Sequence, residues 1–209
     1  MNERGAGGGT VLTVGHSNHR LESFVALLRE HHVEVLADVR SVPRSAFVPH
    51  FNREALAAAL EGIGIDYLYL GCELGGRSDD PACYEDGRVR YDRVAATAPF
   101  RDGLAQVTDR AGTHRVALMC AEKEPLDCHR TLLVARALDE LGLDVAHILD
   151  GGGLEPHAQA MDRLIDKFGL DGDLFLRSRD ERVAEAIARQ SRHVAFAGGP
   201  AGGSGRAHA

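Results

Sequence analysis

Between Leu118 and Arg130 the chain reads Leu-Met-Cys-Ala-Glu-Lys-Glu-Pro-Leu-Asp-Cys-His-Arg, two thiols, an imidazole and several charges in one short segment. A thiolate is a strong nucleophile and a good metal ligand, and an adjacent imidazole can take its proton. Asp127 is a natural helix N-cap, which places Cys128, His129 and Arg130 in a first turn whose free N–H groups and dipole favour an anion or a thiolate. A sulfur facing that helix end has its pKa lowered. Cys120 is therefore the expected nucleophile or sulfur carrier, although a cysteine closing a core strand is often just a small hydrophobe.

The same residues could serve a metal instead, with Cys120, Cys128, His129 and His16 as ligands. The seven residues between the cysteines are more than the short C-x₂₋₄-C knuckle of structural zinc sites, so metal ranks below thiol chemistry and no cofactor is required. Other signatures are missing: there is no G-x-G-x-x-G after the first strand, no P-loop, no H-E-x-x-H and no G-x-S-x-G.

Further chemistry lies in Gly15-His16-Ser17, Asp38-Val39-Arg40 and Leu74-Gly75-Gly76-Arg77. His16 or His129 is expected to move protons, and Asp38 to orient a neighbouring group. Arg40, Arg77, Lys123 and Arg130 are expected to hold an anion, with Ser17 and Glu122 beside them, while Arg44 and Arg53 add to the local cations. Phe47, Phe51 and Tyr69 could add ring faces for a base.

These segments need a scaffold that brings them together. Thr10 to Val14, Val33 to Val39, Ile65 to Leu70, His114 to Met119 and Asp144 to Leu149 read as strands by their β-branched, apolar content. Helical spacing marks Leu21 to His32, Arg53 to Glu61 behind Asn52 as cap, Pro99 to Arg110, Asp127 to Leu141 and Glu155 to Phe168. Alternation of strand and helix predicts a three-layer α/β fold, Rossmann-like or rhodanese-like, with a mostly parallel sheet and helices on both faces. In a parallel sheet the residues just after each strand share one edge, where open α/β folds bind ligands. Gly71 to Tyr91 is an aperiodic excursion near that edge.

The chain of 209 residues, 44% hydrophobic, fits one domain. The expected division is a small-residue leader over residues 1–9, a single α/β domain over 10–169, and a charged, then Gly/Ala-rich tail over 170–209. That tail is expected to be largely disordered, with Glu181 to Gln190 its one helical candidate. Four unevenly spaced cysteines and no apolar leader predict free thiols in the cytoplasm, and no stretch is long and apolar enough to suggest a membrane partner. A net charge of -7 argues against a general polyanion surface but leaves room for a local cationic pocket.

Taken with their order, Thr13-Val14-Gly15-His16-Ser17, Asp38-Val39-Arg40-Ser41-Val42-Pro43-Arg44-Ser45, His50-Phe51-Asn52, Glu73-Leu74-Gly75-Gly76-Arg77, and Leu118-Met119-Cys120-Ala121-Glu122 with Cys128-His129-Arg130 resemble the bacterial family called domain of unknown function 488. The resemblance covers about Thr10 to Leu149. It implies no reaction, and a DNA-repair label on some members adds only a direction to look. A looser architectural similarity is to rhodaneses and cysteine phosphatases, whose Cys-x₅-Arg loop would place an arginine where this chain has Leu126. The leading reading is an enzyme using a cysteine on a small anionic, nucleotide-like substrate. Alternatives are a metal-dependent hydrolase or metal-binding protein, and a nucleic-acid-binding or repair accessory module using the Arg40 to Arg53 loop.

Overall fold

A computed structural model describes residues 9–173 and 177–198. The expected leader, except Gly9, and the chain beyond Gly198 lie outside the described residues. Strand β1 (Val11–Gly15) leads through helix α1 (Leu21–Glu30) to β2 (Val35–Asp38), then through α2 (Arg53–Glu61) to β3 (Asp66–Tyr69). A small antiparallel hairpin, β4 (Tyr84–Glu85) and β5 (Arg88–Val89), occupies the aperiodic excursion. Helices α3 (Tyr91–Ala95) and α4 (Ala98–Ala111) precede β6 (Val116–Cys120). After the site loop, a π-helical stretch, Arg130–Ala135, continues directly into α5 (Arg136–Glu140). Next come β7 (Val145–Ile148), β8 (Leu154–Pro156), α6 (His157–Lys167) and α7 (Arg179–Val194).

The large sheet has the order β3-β2-β6-β1-β7-β8, parallel except for β8, which runs antiparallel to β7. Residue alternation along each strand sorts the core into two layers. On β6, Val116, Leu118 and Cys120 face the cluster that contains Phe100 and Val107 of α4, Leu138 of α5, Leu164 of α6 and Ile187 of α7. Ala117 and Met119 face Phe24 and Leu28 of α1 and Leu56 and Leu60 of α2. The result is the expected three-layer α/β arrangement with helices on both faces. No helix among the described residues is long and apolar enough to cross a membrane.

Two expected caps are replaced. Asn52 does not cap α2 with its side chain; its Oδ1 accepts the Ser45 N–H at 2.6 Å and so fixes the preceding loop. Asp127 does not cap the helix after the site loop, because Pro125–Asp127 winds as a short 3-10 turn and Cys128 is extended. The Cys128 sulfur takes the capping place, accepting the Arg130 N–H at 3.4 Å. Asp127 instead accepts from the Gln190 side-chain amide at 2.7 Å.

The boundary expected near residue 169 also moves. Helix α7 starts at a capping box formed by Ser178 and Glu181, a local signal that satisfies two end donors reciprocally. It packs on α6 and buries Ala186, Ile187 and Gln190. Residues 195–198 continue onto the hairpin, where the Val89 N–H donates to the Phe196 carbonyl at 3.0 Å. This part of the expected tail is built into the domain. Ile187→Ala should therefore destabilise the protein by roughly 2 to 5 kcal/mol, as for a core residue, in equilibrium unfolding by urea; an effect under about 0.5 kcal/mol, the usual size for a surface change, would show that α7 is peripheral.

Candidate functional site

The carboxyl ends of the three central strands bring the chemistry-bearing segments together. Gly15 closes β1 beside Cys120 of β6, and Asp38 of β2 pairs with Met119. The loop leaving β6 crosses directly over β1: the His16 and Ser17 N–H groups donate to the Cys120 and Ala121 carbonyls, each at 2.9 Å. Gly15 is what allows that crossing, since a Cβ there would lie 1.9 Å from the Glu122 carbonyl oxygen.

On one side of the sheet edge sits a buried polar knot. Arg40 engages both oxygens of Asp38, through Nε at 2.9 Å and Nη2 at 2.6 Å. Nη2 also donates to the Phe51 carbonyl at 2.8 Å, and Nη1 donates to His16 Nε2 at 3.0 Å. The Tyr67 hydroxyl donates to Asp38 Oδ2 at 2.6 Å. The carboxylate outweighs the burial of Arg40 and keeps the guanidinium charged, while burial and the Asp38 charge push the Tyr67 phenol up. Of the five N–H donors on a guanidinium, four of Arg40's are spent here, so one remains for a ligand.

The expectation that His16 moves protons is corrected by this geometry. Its Nδ1 lies 2.9 Å from the Ser17 carbonyl and its Nε2 accepts from Arg40, so both ring nitrogens are occupied by protein. Burial and the Arg40 charge lower its pKa from the usual 6.5 to about 4. The ring is neutral at pH 7 and stacks on Phe51 with centroids 4.4 Å apart. His16 orients Arg40, and it is not one of the groups clustered with the two thiols.

On the other side of the edge lies that cluster. Cys120, at the end of β6, and Cys128, at the start of the helix, are both almost fully buried. Nδ1 of His129 is 3.6 Å from the Cys120 sulfur and 3.8 Å from that of Cys128, while its Nε2 lies 2.9 Å from the Val39 carbonyl. Donation from Nε2 to Val39 leaves the Nδ1 lone pair facing both sulfurs. Although Glu122 as a residue is exposed, its carboxylate leans inward, with Oε2 accepting from the two thiols at 2.9 and 3.1 Å.

Burial, then hydrogen bonding to Cys128, pushes the Cys120 thiol up. Burial opposes ionisation of Cys128 too, but a hydrogen bond from Cys120 and the charges of Arg130 and His129 outweigh it and hold Cys128 low. Burial and the Cys128 charge raise Glu122, and His129 is raised by its bond to Cys128 against its own burial. The electrostatics therefore favour the lowered thiol at Cys128, where the sequence suggested Cys120.

Among the other expected binding residues only some line the cavity. A cavity of about 240 Å³ opens over the cluster, lined among others by Arg40, Ser41, Arg77, Tyr91, Glu122 and Phe196. The Arg77 guanidinium lies 4.0 Å above the Phe196 ring and has no carboxylate partner among the described residues. Arg130 turns away: wholly buried, it donates to the Glu122 and Lys123 carbonyls at 2.6 and 3.2 Å and braces the loop. Lys123 pairs with Asp150 at 2.6 Å, and the Ser17 hydroxyl points to Asn18 at 3.3 Å. Of the three rings considered for stacking, Phe51 is buried, Tyr69 is covered by Arg53 at 4.2 Å and Phe47 alone is free, at 97% exposure. Tyr91 and Phe196 had no sequence signal, since each reaches the cavity from a separate, aperiodic stretch.

Two tests follow from the geometry. A Cβ on Gly76 would lie 2.9 Å from Cγ of His129, so Gly76→Ala should displace the imidazole and cost about 1 to 3 kcal/mol, read by denaturant unfolding; a neutral substitution would mean the ring is not held there. His16 with a native pKa of about 4 against 6.5 when unfolded leaves the unfolded state binding more protons between those values. Its contribution to stability is complete above about pH 6.5 and is lost as pH falls toward 4. His16→Asn, which keeps an acceptor for Arg40, should flatten the fall of melting temperature over that range, and equal slopes in both proteins would refute the assignment.

Residues 20–137 match the family model described as Domain of unknown function DUF488. No curated protein and no solved structure matches the chain, and the looser likeness to rhodaneses and cysteine phosphatases is not confirmed. The matched span runs from the start of α1 through the Asp38-Arg40 knot, Gly76-Arg77 and the whole cysteine loop, more than half of the sequence, and on this match the chain belongs to the DUF488 family.

Proposed function

We propose that this protein is an enzyme whose reacting group is the Cys128 sulfur and whose substrate is a small anion. The observation that carries the reading is positional. The Cys128 sulfur accepts the N–H of Arg130 at a helix start, has the His129 imidazole 3.8 Å away, and lies on the floor of a cavity whose wall carries Arg77. A sulfur beside an imidazole and a helix N-terminus is the arrangement that generates a thiolate nucleophile.

In this reading Nδ1 of His129 takes the thiol proton and Cys128 forms a bond to the electrophilic atom of the substrate. The leaving group departs with its electron pair and receives the proton from the imidazolium. Arg77 and the remaining N–H of Arg40 hold the anionic part, while Val42, Val194 and Phe196 give the cavity an apolar side. The four cysteines, all free, suit a reducing compartment such as the cytoplasm.

Iodoacetamide labelling of native protein, followed by mass spectrometry, tests this directly. Cys128 should be modified well ahead of the equally buried Cys83, and inorganic phosphate should slow that labelling in the wild type but not in Arg77→Ala. Labelling of Cys128 no faster than of Cys83 would remove the nucleophile.

A further inference from the structure

The cluster under the cavity has a second property that the nucleophilic reading does not use. In a tetrahedral zinc site, with Zn–S of about 2.3 Å and Zn–N of about 2.0 to 2.1 Å, neighbouring nitrogen and sulfur ligands lie roughly 3.5 to 3.6 Å apart. His129 Nδ1 stands 3.6 and 3.8 Å from the two sulfurs, and the three ligand atoms all lie within 4.8 Å of one another. We propose that Cys120, Cys128 and His129 bind one soft or borderline divalent cation of the zinc class, and that this ion caps Cys128 and switches off its nucleophilic chemistry.

Three features around the triad suit a metal. The imidazole donates Nε2–H to the Val39 carbonyl, which fixes the tautomer and aims Nδ1 at the sulfurs, the usual outer partner of a metal-bound histidine. The Arg130 N–H already donates to the Cys128 sulfur, so one thiolate lone pair is stabilised from the backbone. Two sulfurs and the Glu122 carboxylate converge on one point, and Arg130, the cation whose charge reaches both sulfurs, directs one N–H of each Nη at the Glu122 and Lys123 carbonyls. Such a gathering of groups that carry negative charge when deprotonated favours a cation. A donor set of two thiolates and one imidazole selects zinc, cobalt or copper over magnesium or calcium.

Three protein ligands leave a fourth position, and it faces the cavity. Glu122 Oε2, at 2.9 and 3.1 Å from the sulfurs, is nearer than the roughly 3.5 Å of an oxygen vertex in a tetrahedral site. An outward shift of that exposed side chain would bring the carboxylate to the fourth position. His16, which the sequence offered as a ligand, takes no part, since its nitrogens are bound to Ser17 and Arg40. A thiolate that shares its charge with a divalent cation is a weaker nucleophile than a free one, so metal and alkylating agent compete for Cys128.

The experiment uses full-length protein prepared without an affinity tag and stripped with a chelator. Titration with Co²⁺ should give a thiolate-to-cobalt charge-transfer band and tetrahedral ligand-field absorption, saturating at one equivalent and abolished by Zn²⁺. Cys120→Ser and His129→Gln should each weaken binding by more than the roughly 10- to 100-fold that outer-shell changes cost, with circular dichroism confirming that both fold. Zn²⁺ should protect Cys128 from iodoacetamide, and chelator should restore labelling. Absence of the band in wild-type protein overturns the metal site whether or not the variants fold, and so does a band unchanged in His129→Gln. If no metal binds but Cys128 still labels ahead of Cys83, the nucleophile stands and only the metal falls; if neither occurs, both fall.

Discussion

The site depends on one buried cation. Arg130 is wholly enclosed, and its guanidinium grips two successive carbonyls of the loop that leaves β6, those of Glu122 and Lys123. Burying a guanidinium costs several kcal/mol unless its donors are met, and with Nε already without a partner the loop cannot relax away without stranding more of the charge. This bond pulls the loop across β1, over the bare backbone of Gly15, and returns the chain at Cys128 within reach of Cys120. Two cysteines separated in sequence thereby share one imidazole and one carboxylate.

The same cation sets the electrostatic asymmetry of the pair. Both sulfurs are buried, and burial disfavours a thiolate at either. Cys128 gains the charge of Arg130, the thiol of Cys120 as donor, and the Arg130 N–H at the helix start. Cys120 sits at the end of the strand with the Cys128 and Glu122 charges as neighbours, which push it the other way. A proton shared among close thiols and a carboxyl is a property of the group, and its location follows from which sulfur the backbone serves.

Asp38, Arg40, His16, Phe51 and Tyr67 form a separate unit on the opposite side of the sheet edge. Alternation along β2 explains the division: Ala37 and Val39 face the layer that holds the cysteines, and Asp38 the layer of α1 and α2. With Asp38 below and His16 beside it, Arg40 has almost no freedom, and one remaining N–H is delivered to the cavity from a rigid mount. Arg77 is the reverse case, an exposed guanidinium resting on Phe196 and able to adapt. The cavity thus carries one fixed and one adaptable cation on its wall.

What the sequence by itself determined is the alternation of strands and helices, the parallel sheet, and the set of strand ends on which His16, Asp38, Arg40 and Cys120 fall. Those follow from hydrophobic periodicity and from the single direction of parallel strands, both local properties. Whether a charged side chain at that edge faces a ligand or another part of the protein was decided only by the tertiary structure. Arg130 and Lys123 are indistinguishable in sequence from Arg77, yet the first braces a loop, the second meets Asp150, and the third lines the cavity. Asp127 had the residue type of a cap, but the Pro125–Asp127 turn moved the helix start by one residue and gave that place to the Cys128 sulfur. The capping box at Ser178 was written in the sequence, but the burial of Ile187 depended on surfaces of α6 and the site loop that no local pattern describes. Partners distant in the chain, meeting only when the layers close, decide which thiol is held low, which histidine is left an open nitrogen and which arginine is free.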